Sequence, residues 1–586
     1  MNGIVLSLSG MWRLRAAGET ETIPCPIPGD NFSALQDAGR IPDPYWRENE
    51  AEVQWVAERD WIFSRAFDVP AALLRHRAVY LAFDSIDTVA EVFVNGRLAG
   101  RADNQFRRWR FEVRRLLREG ANELEVRIAS PVRAAREAHA ALAPDFDPAL
   151  VNGSSVPGIF ALRKCPCSGG WDWGISLPSS GLHGDVSLVG ADAALLDSAW
   201  CDTAFLRDGA CRVDATVRLL PVPVFAKGAN WIPCDARPRH ETPERVRDLL
   251  RSAAAANMNL LRVWGGGHFE SDFFYEECDR LGLLLWHDLM MACMRYPAHP
   301  AFLASLRAEI GDQVRRLRDH PSIALWCGDN ECVGAIHWGA ADQSPAARAA
   351  RLAVYRRVER AAGGAVRRAD PTRLFWPSSP SAGPGDYVYN DANSFRGDTH
   401  YWGVWLGGLH FDAFYGHRPR FCSEFGFQSF PSGATVRAFA DPAAGDLNVF
   451  SPVMDAHQKN GSANATILGM FDRLFRMPRG FDETLYLSQV QQAEAIRTGV
   501  EWWRSLAPWC MGTLYWQLDD DWPVASWSSL EWGGRWKALH HAARRFYAPL
   551  AASAFAPGPD APFAAHLVWD LPLAVEATGP SSSSCQ

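Results

Sequence analysis

Short apolar runs separated by polar turns fill roughly the first 190 residues. Residues 79–83, 90–94 and 122–128 are runs of this kind, and their spacing predicts strands half-buried against a core. Asn95-Gly96 after such a run predicts a two-residue hairpin turn, because both residues tolerate the left-handed backbone that turn needs. Regular short strands predict a β-sandwich of jelly-roll type over residues 1–190. Beyond residue 222 the pattern changes. Amphipathic helices over 244–256, 273–281 and 300–318 alternate with apolar strands over 259–264, 283–286 and 323–326. Repeated βα units predict a parallel sheet, most economically a (β/α)8 TIM barrel spanning 222–550. The fold class expected is thus multidomain, a β-sandwich followed by a barrel. Residues 191–221 are too few for an independent domain. The tail, 551–586, is rich in Ala, Pro and Ser and predicts little fixed structure.

Composition narrows the function classes. A chain of 586 residues must divide into several domains. Its net charge of -8, without a dense basic patch, argues against nucleic acid as a partner and suits a neutral substrate. The 25 Trp are many; indole faces serve cores and also stack on sugar rings. The 13 Cys lack paired Cys-x-x-Cys spacing, several sit in apolar runs, and Cys165-Pro166-Cys167 is too tight for a metal knuckle. No basic segment followed by a long apolar run opens the chain, and no apolar run has the length of a membrane span. A soluble cytoplasmic protein, bound to no membrane, is expected.

Chemistry concentrates at the ends of the predicted barrel strands. Glu331 closes Trp326-Cys327-Gly328-Asp329-Asn330-Glu331, and Glu424 lies in Phe421-Cys422-Ser423-Glu424-Phe425-Gly426-Phe427. A lone glutamate after a strand is most often a salt-bridge partner. Two of them at strand ends of one barrel can instead break a glycosidic bond, one protonating the leaving oxygen while the other attacks the anomeric carbon or activates water. Trp264 and Asp288 fall at strand ends too. His287-Asp288 invites a metal reading, but no further ligands appear at matching spacing, so no metal is expected. Gly265-Gly266-Gly267 lacks the Lys-Ser/Thr of a phosphate loop and suits close backbone packing.

The chain resembles the β-mannosidases of glycoside hydrolase family 2. The resemblance rests on Gly169-Gly170-Trp171-Asp172-Trp173-Gly174, Ala226-Lys227-Gly228-Ala229-Asn230-Trp231-Ile232-Pro233, Leu261-Arg262-Val263-Trp264-Gly265-Gly266-Gly267, the two glutamate stretches, His400-Tyr401-Trp402 and Tyr515-Trp516-Gln517-Leu518-Asp519, in the family's order. It implies a retaining exo-β-D-mannosidase that removes terminal non-reducing β-mannose from an oligosaccharide or glycan without metal or organic cofactor. By the same resemblance Glu331 matches the acid/base and Glu424 the nucleophile. Asp172 with Trp171 matches a sandwich loop reaching the sugar, and Trp264, Trp516 and Trp338 match aromatic walls of its subsite. Asn330 is expected to bond the sugar's 2-hydroxyl, Arg262 to hold Glu424 charged, and Tyr401 to donate to the nucleophile. Glu331 is then expected to carry a raised pKa and Glu424 to stay ionised. Asp329 stands where the family has asparagine and is expected to raise Glu331 further. Family members carry a complete immunoglobulin-like sandwich between jelly roll and barrel; residues 191–221 match only its opening, so the placement of the Asp172 loop is in question. Alternatives are another family 2 exo-glycosidase, acting on β-galactosides, β-glucuronides or β-glucosaminides, and a vestigial carbohydrate-binding protein without catalysis.

Overall fold

The computed structural model describes residues 4–142, 146, 154–192, 204–205, 211–212, 216–217, 224–338, 340, 342–391, 395–556 and 564–570. The first part is a sandwich of two antiparallel sheets. Four strands, in the order Val5–Ser7, Val186–Ala191, Ala78–Phe83 and Trp109–Glu112, form one sheet. Six, in the order Ile23–Ile27, Gly10–Ala16, Trp61–Val69, Gly120–Ile128, Val89–Val94 and Arg97–Asp103, form the other. Every second side chain turns inward, as with Val79, Leu81 and Phe83 in one sheet and Ala90, Val92 and Val94 in the other. The two inner faces share one apolar core. Asn95 and Gly96 adopt φ of 51° and 75°, the pair of left-handed positions that the hairpin turn requires.

The second part is a parallel barrel. Its strands are β1 (Ala226–Trp231), β2 (Leu260–Val263), β3 (Leu284–Asp288), β4 (Ile323–Cys327), β5 (Leu374–Trp376), β6 (Thr399–His400), β7 (Cys422–Glu424) and β8 (Gly512–Tyr515). They follow one another around the sheet, with β8 beside β1 and every ladder parallel. The seam between β5 and β6 is closed by the loop after β5 and the residue before β6: Asp398 N–H donates to Ser381 O (3.0 Å), and Ser381 N–H to Asp398 Oδ1 (2.9 Å). Glycine permits the tightest approach, since a Cβ on Gly228 would stand 1.6 Å from Leu260 O. Helices start where the sequence signals them. Before Pro243–Ala255, Thr242 Oγ1 accepts from Arg245 N–H, and proline occupies the first turn, where its missing N–H costs nothing.

Sandwich and barrel are joined by buried polar contacts. Arg163 of the sandwich forks onto Glu309 of the barrel helix Pro300–Leu317 (2.6 and 2.7 Å) and donates to Met290 O (2.9 Å). Asn104 Nδ2 also donates to Glu309 (3.0 Å), and Tyr45 Oη to Asp235 (2.6 Å). These contacts place the sandwich on the barrel directly.

One expectation changes here, that for the tail. Of 191–221, the described residues include three two-residue strands, Ala204–Phe205, Cys211–Arg212 and Thr216–Val217, in one antiparallel sheet. The tail is structured in part: Leu550–Phe555 and Ala564–Trp569 pair antiparallel, and Asp570 accepts from Lys227 Nζ (2.6 Å) and Arg504 Nη2 (3.0 Å). Compositional bias had hidden a strand whose Phe555 packs on Tyr415 and Trp502. The Ser581-Ser582-Ser583-Ser584 run lies outside the described residues. Among the described residues no helix is long and apolar enough to cross a membrane.

Candidate active site

At the carboxyl ends of the barrel strands lies a cavity of about 650 Å³. Trp171, Asp172, Trp264, Asn330, Glu331, Trp338, Tyr401, Glu424 and Trp516 all line it. The sandwich loop therefore reaches the barrel site. Its course is held by Cys167 N–H donating to Gly266 O (3.0 Å) and by Trp522 Nε1 donating to Trp173 O (2.8 Å). Trp264 packs on Trp171 and Trp516, with ring centroids 5.0 and 5.2 Å away, to make one aromatic end of the cavity. Trp338 stands edge-on to Tyr389 at 4.9 Å on its outer wall. The glycines after β2 are there for packing: a Cβ on Gly265 would meet Leu289 O and Met291 O at 2.7 and 2.6 Å.

Glu424 ends β7 and is held from below. Arg262, on β2 and fully buried, donates from Nη1 to Glu424 Oε2 (3.0 Å) and Asn230 Oδ1 (2.9 Å). From Nη2 it donates to Asp288 Oδ2 (2.8 Å) and Asn330 Oδ1 (2.7 Å). Asp288, at the end of β3, thus neutralises Arg262 beneath the cavity and does not line it. His287 turns the other way, to Tyr275 Oη (2.8 Å), and burial pushes its imidazole down to about 3. The neighbours His287 and Asp288 therefore share no centre.

Glu331 is held differently. It follows β4 in a left-handed conformation (φ 56°), its N–H donating to Ser379 O (2.8 Å). Oε1 accepts from Tyr389 Oη (2.6 Å) and lies 2.7 Å from His400 Nδ1; Oε2 accepts from Cys293 Sγ (3.3 Å). His400 Nδ1 is also 3.6 Å from Glu424 Oε2, and the nearest oxygens of the two carboxylates lie within 4.8 Å of one another. The hydroxyl of Ser379 donates to Asp398 Oδ2 (2.7 Å), which leaves its lone pair for the Nε2–H of His400 (3.0 Å). His400 Nδ1 and Glu331 Oε1 must then share one proton across their contact.

The geometry reverses the expected order of protonation. Burial raises Glu331, but the hydrogen bonds from His400, Tyr389 and Cys293 and the charge of His400 outweigh it, leaving its carboxyl below the usual range. Burial pushes Glu424 up to about 7, with the charge of Glu331 adding to the rise and His400 and Arg262 opposing it. Two carboxylates this close cannot both ionise freely, so the proton belongs to the pair. Asp172 is likewise pushed up to about 7, first by desolvation, with Asn460 opposing and Glu424 and Glu331 adding.

Two assignments are corrected, those of Tyr401 and Asp329, and that of Asn330 is narrowed. Tyr401 lines the cavity, but its hydroxyl donates to Ala413 O (3.3 Å) and its ring stacks on His417. Only its backbone N–H serves Glu424, donating to the carbonyl O (2.8 Å). Asp329 turns away from Glu331: it accepts from Ser378 Oγ (2.6 Å), Tyr355 Oη (2.9 Å) and Cys332 N–H (3.1 Å), and so anchors the loop. Asn330 spends its Oδ1 on Arg262 and one amide hydrogen on Cys293 Sγ (3.3 Å), leaving one for a ligand. Sequence reasoning missed His400, Tyr389 and Cys293 as site residues. His400 was within reach, since it ends a barrel strand; the other two lie on loops that carry no periodic signal.

This fold and site define a glycoside hydrolase: a sandwich feeding a loop into a barrel whose rim carries a buried carboxylate pair. The family model described as a glycosyl hydrolase 2 galactose-binding domain-like unit matches residues 12–184. The β-mannosidase of Capra hircus is 31% identical, over 93% of this chain and 76% of that protein. The β-mannosidase B of Thermothelomyces thermophilus is 28% identical, over 93% of this chain and 77% of that protein. Among solved structures, the β-D-mannosidase of Dictyoglomus thermophilum superposes with a TM-score of 0.86 at 31% identity, covering 94% of this chain and 78% of that one. The alignment to the goat enzyme runs over 683 positions, more than this chain contains, so that relative carries internal segments this chain lacks. The chain belongs to the β-mannosidases of glycoside hydrolase family 2.

Proposed function

We propose that this enzyme is a retaining exo-β-mannosidase, cleaving a terminal non-reducing β-mannose by double displacement. The observation that carries the reading is the spacing of Glu331 and Glu424. Oxygens within 4.8 Å of one another suit the short separation of retaining enzymes, about 5–5.5 Å, and leave no room for the water of an inverting one, which needs about 6.5–9.5 Å. The mannoside specificity is supported by relatives named β-mannosidase at 31% identity.

Glu424 attacks the anomeric carbon, steered by Arg262, and the glycosyl-enzyme ester forms as the bond to the leaving oxygen breaks. Glu331 delivers the proton it shares with His400 to that oxygen, then takes one from water as the ester is hydrolysed. His400 favours this cycle by accepting the hydrogen bond of a protonated Glu331 and by stabilising the carboxylate left behind. Trp264, Trp516 and Trp171 close the cavity around a single sugar, which supports exo action, with Asp172 reaching its hydroxyls and the free hydrogen of Asn330 Nδ2 offered to the 2-hydroxyl. Trp338 and Tyr389 flank the leaving group.

The test is incubation with a 2-deoxy-2-fluoro-β-mannosyl fluoride, followed by mass spectrometry of the peptides. A mannosyl adduct on Glu424, with β-mannose as the first product of normal turnover, is expected. An adduct elsewhere, α-mannose as first product, or faster turnover of aryl β-galactoside, β-glucuronide or β-glucosaminide would overturn the reading.

A further inference from the structure

Cys293 is a buried thiol in the wall of the catalytic cavity that the proposed chemistry does not use. Its backbone sits in the left-handed region, φ 51°, where a non-glycine residue is held only by its surroundings. The hold is visible. Cys293 N–H donates to Asn330 O (2.8 Å) and Asn330 N–H to Met291 O (2.9 Å), zipping the loop after β3 to the loop after β4. Glu331, the next residue on the second loop, is left-handed as well. Two strained positions face each other and bring one thiol against one carboxyl.

The direction of that contact follows from donor counting. Asn330 Nδ2 donates to Cys293 Sγ at 3.3 Å, so the single S–H proton is free to point to Glu331 Oε2, also 3.3 Å away. The other oxygen, Oε1, is taken by Tyr389 and His400. Without the thiol, Oε2 has no side-chain donor among the described residues, and the carboxyl plane can turn about its last torsion.

We propose that Cys293 is a positioning residue for the acid/base: it pins Oε2 so that Oε1, the oxygen supplied by His400, faces the leaving group. The proposal rests on the reading of Glu331 as acid/base. A turned carboxyl transfers its proton poorly, and that penalty depends on how much proton the leaving group needs. A sugar leaving group needs it fully, a dinitrophenolate hardly at all.

The experiment compares kcat/KM, which reports formation of the glycosyl-enzyme, for mannobiose and for 2,4-dinitrophenyl β-mannoside. The variants are Cys293→Gly, Cys293→Ser and Glu331→Ala. Glycine suits a φ of 51°, so the first variant folds without the thiol and without strain. Expected is a loss of about thirtyfold with mannobiose and less than about threefold with the dinitrophenyl substrate for Cys293→Gly, with most of it recovered in Cys293→Ser, whose hydroxyl still donates. A structural role alone would lower both substrates together. Equal losses on both, or no loss on either, would overturn the proposal, provided Glu331→Ala is selective for mannobiose. If Glu331→Ala itself lowers both equally, the acid/base reading fails and takes the proposal with it.

Discussion

Glu424 costs the folded enzyme stability, and the cost grows with pH. Its carboxyl is pushed up to about 7 from an ordinary 4.5, so the folded state holds this proton more tightly than the unfolded chain does. Below 4.5 both states are protonated and nothing is lost; as pH rises from 4.5 through about 7, the folded state must ionise a buried group and stability falls. The difference corresponds to about 3 kcal/mol at pH 8 and less than about 1 kcal/mol at pH 5. Glu424→Gln has nearly the same shape, never ionises, and keeps an oxygen for Arg262 Nη1, which retains Asp288 as its counter-charge. The variant should therefore gain over wild type when both move from pH 5 to pH 8. Differential scanning calorimetry at the two pH values measures this, with an expected relative gain of about 5 °C in the barrel transition. A difference between variant and wild type that is the same at both pH values, or a variant less stable at pH 8, would refute the claim that burial and Glu331 together oppose ionisation of Glu424.

The same site predicts that kcat/KM falls as pH drops through about 7, because attack needs Glu424 ionised while Glu331 keeps the proton it shares with His400; on a dinitrophenyl substrate Glu331→Gln removes the charge that raises Glu424 and should move that limb down. Tyr389→Phe removes a donor that stabilises the Glu331 carboxylate, so kcat/KM should fall about three- to tenfold in aryl mannoside turnover while the limb near 7 set by Glu424 stays in place. Arg163→Met leaves Glu309 buried without its cation and should cost about 3–5 kcal/mol in thermal unfolding, much of it recovered in the Arg163→Met, Glu309→Gln double variant.

What the sequence reveals and what it hides divide along a physical line. The sandwich and barrel are legible because burial imposes a period: inward residues alternate in Ala78–Phe83, and all of Ala226–Trp231 is buried. Glu331, Glu424, Trp264 and Arg262 are legible because a polar or bulky residue beside a buried strand of a parallel barrel has its place set by the strand. Tyr389 and Cys293 escape, since a loop has no register from which to read where its side chains point. The hairpin Leu550–Phe555 with Ala564–Trp569 escapes for another reason: alanine and serine read as bias, while the pairing depends on a partner strand and on the barrel side chains Lys227 and Arg504. Tyr401 is misread because its side chain follows the loop and packs on His417, leaving its backbone to the nucleophile.

The two carboxylates are therefore held by opposite means, and each suits its part. Glu424 is fixed by strand register and by one arginine that is itself saturated by Asp288, Asn230 and Asn330. A nucleophile gains from this, since its attack depends on position and it needs no partner for a proton. Glu331 must give up and regain a proton in every turnover, and it is held by three donors from three separate segments, Cys293, Tyr389 and His400, on a left-handed backbone. These donors favour its ionised form, and His400 can share the proton that is given up and regained, at the cost of depending on loops. Changes in the loops after β3 and β5 should therefore alter proton delivery by the acid/base while leaving attack by Glu424 intact.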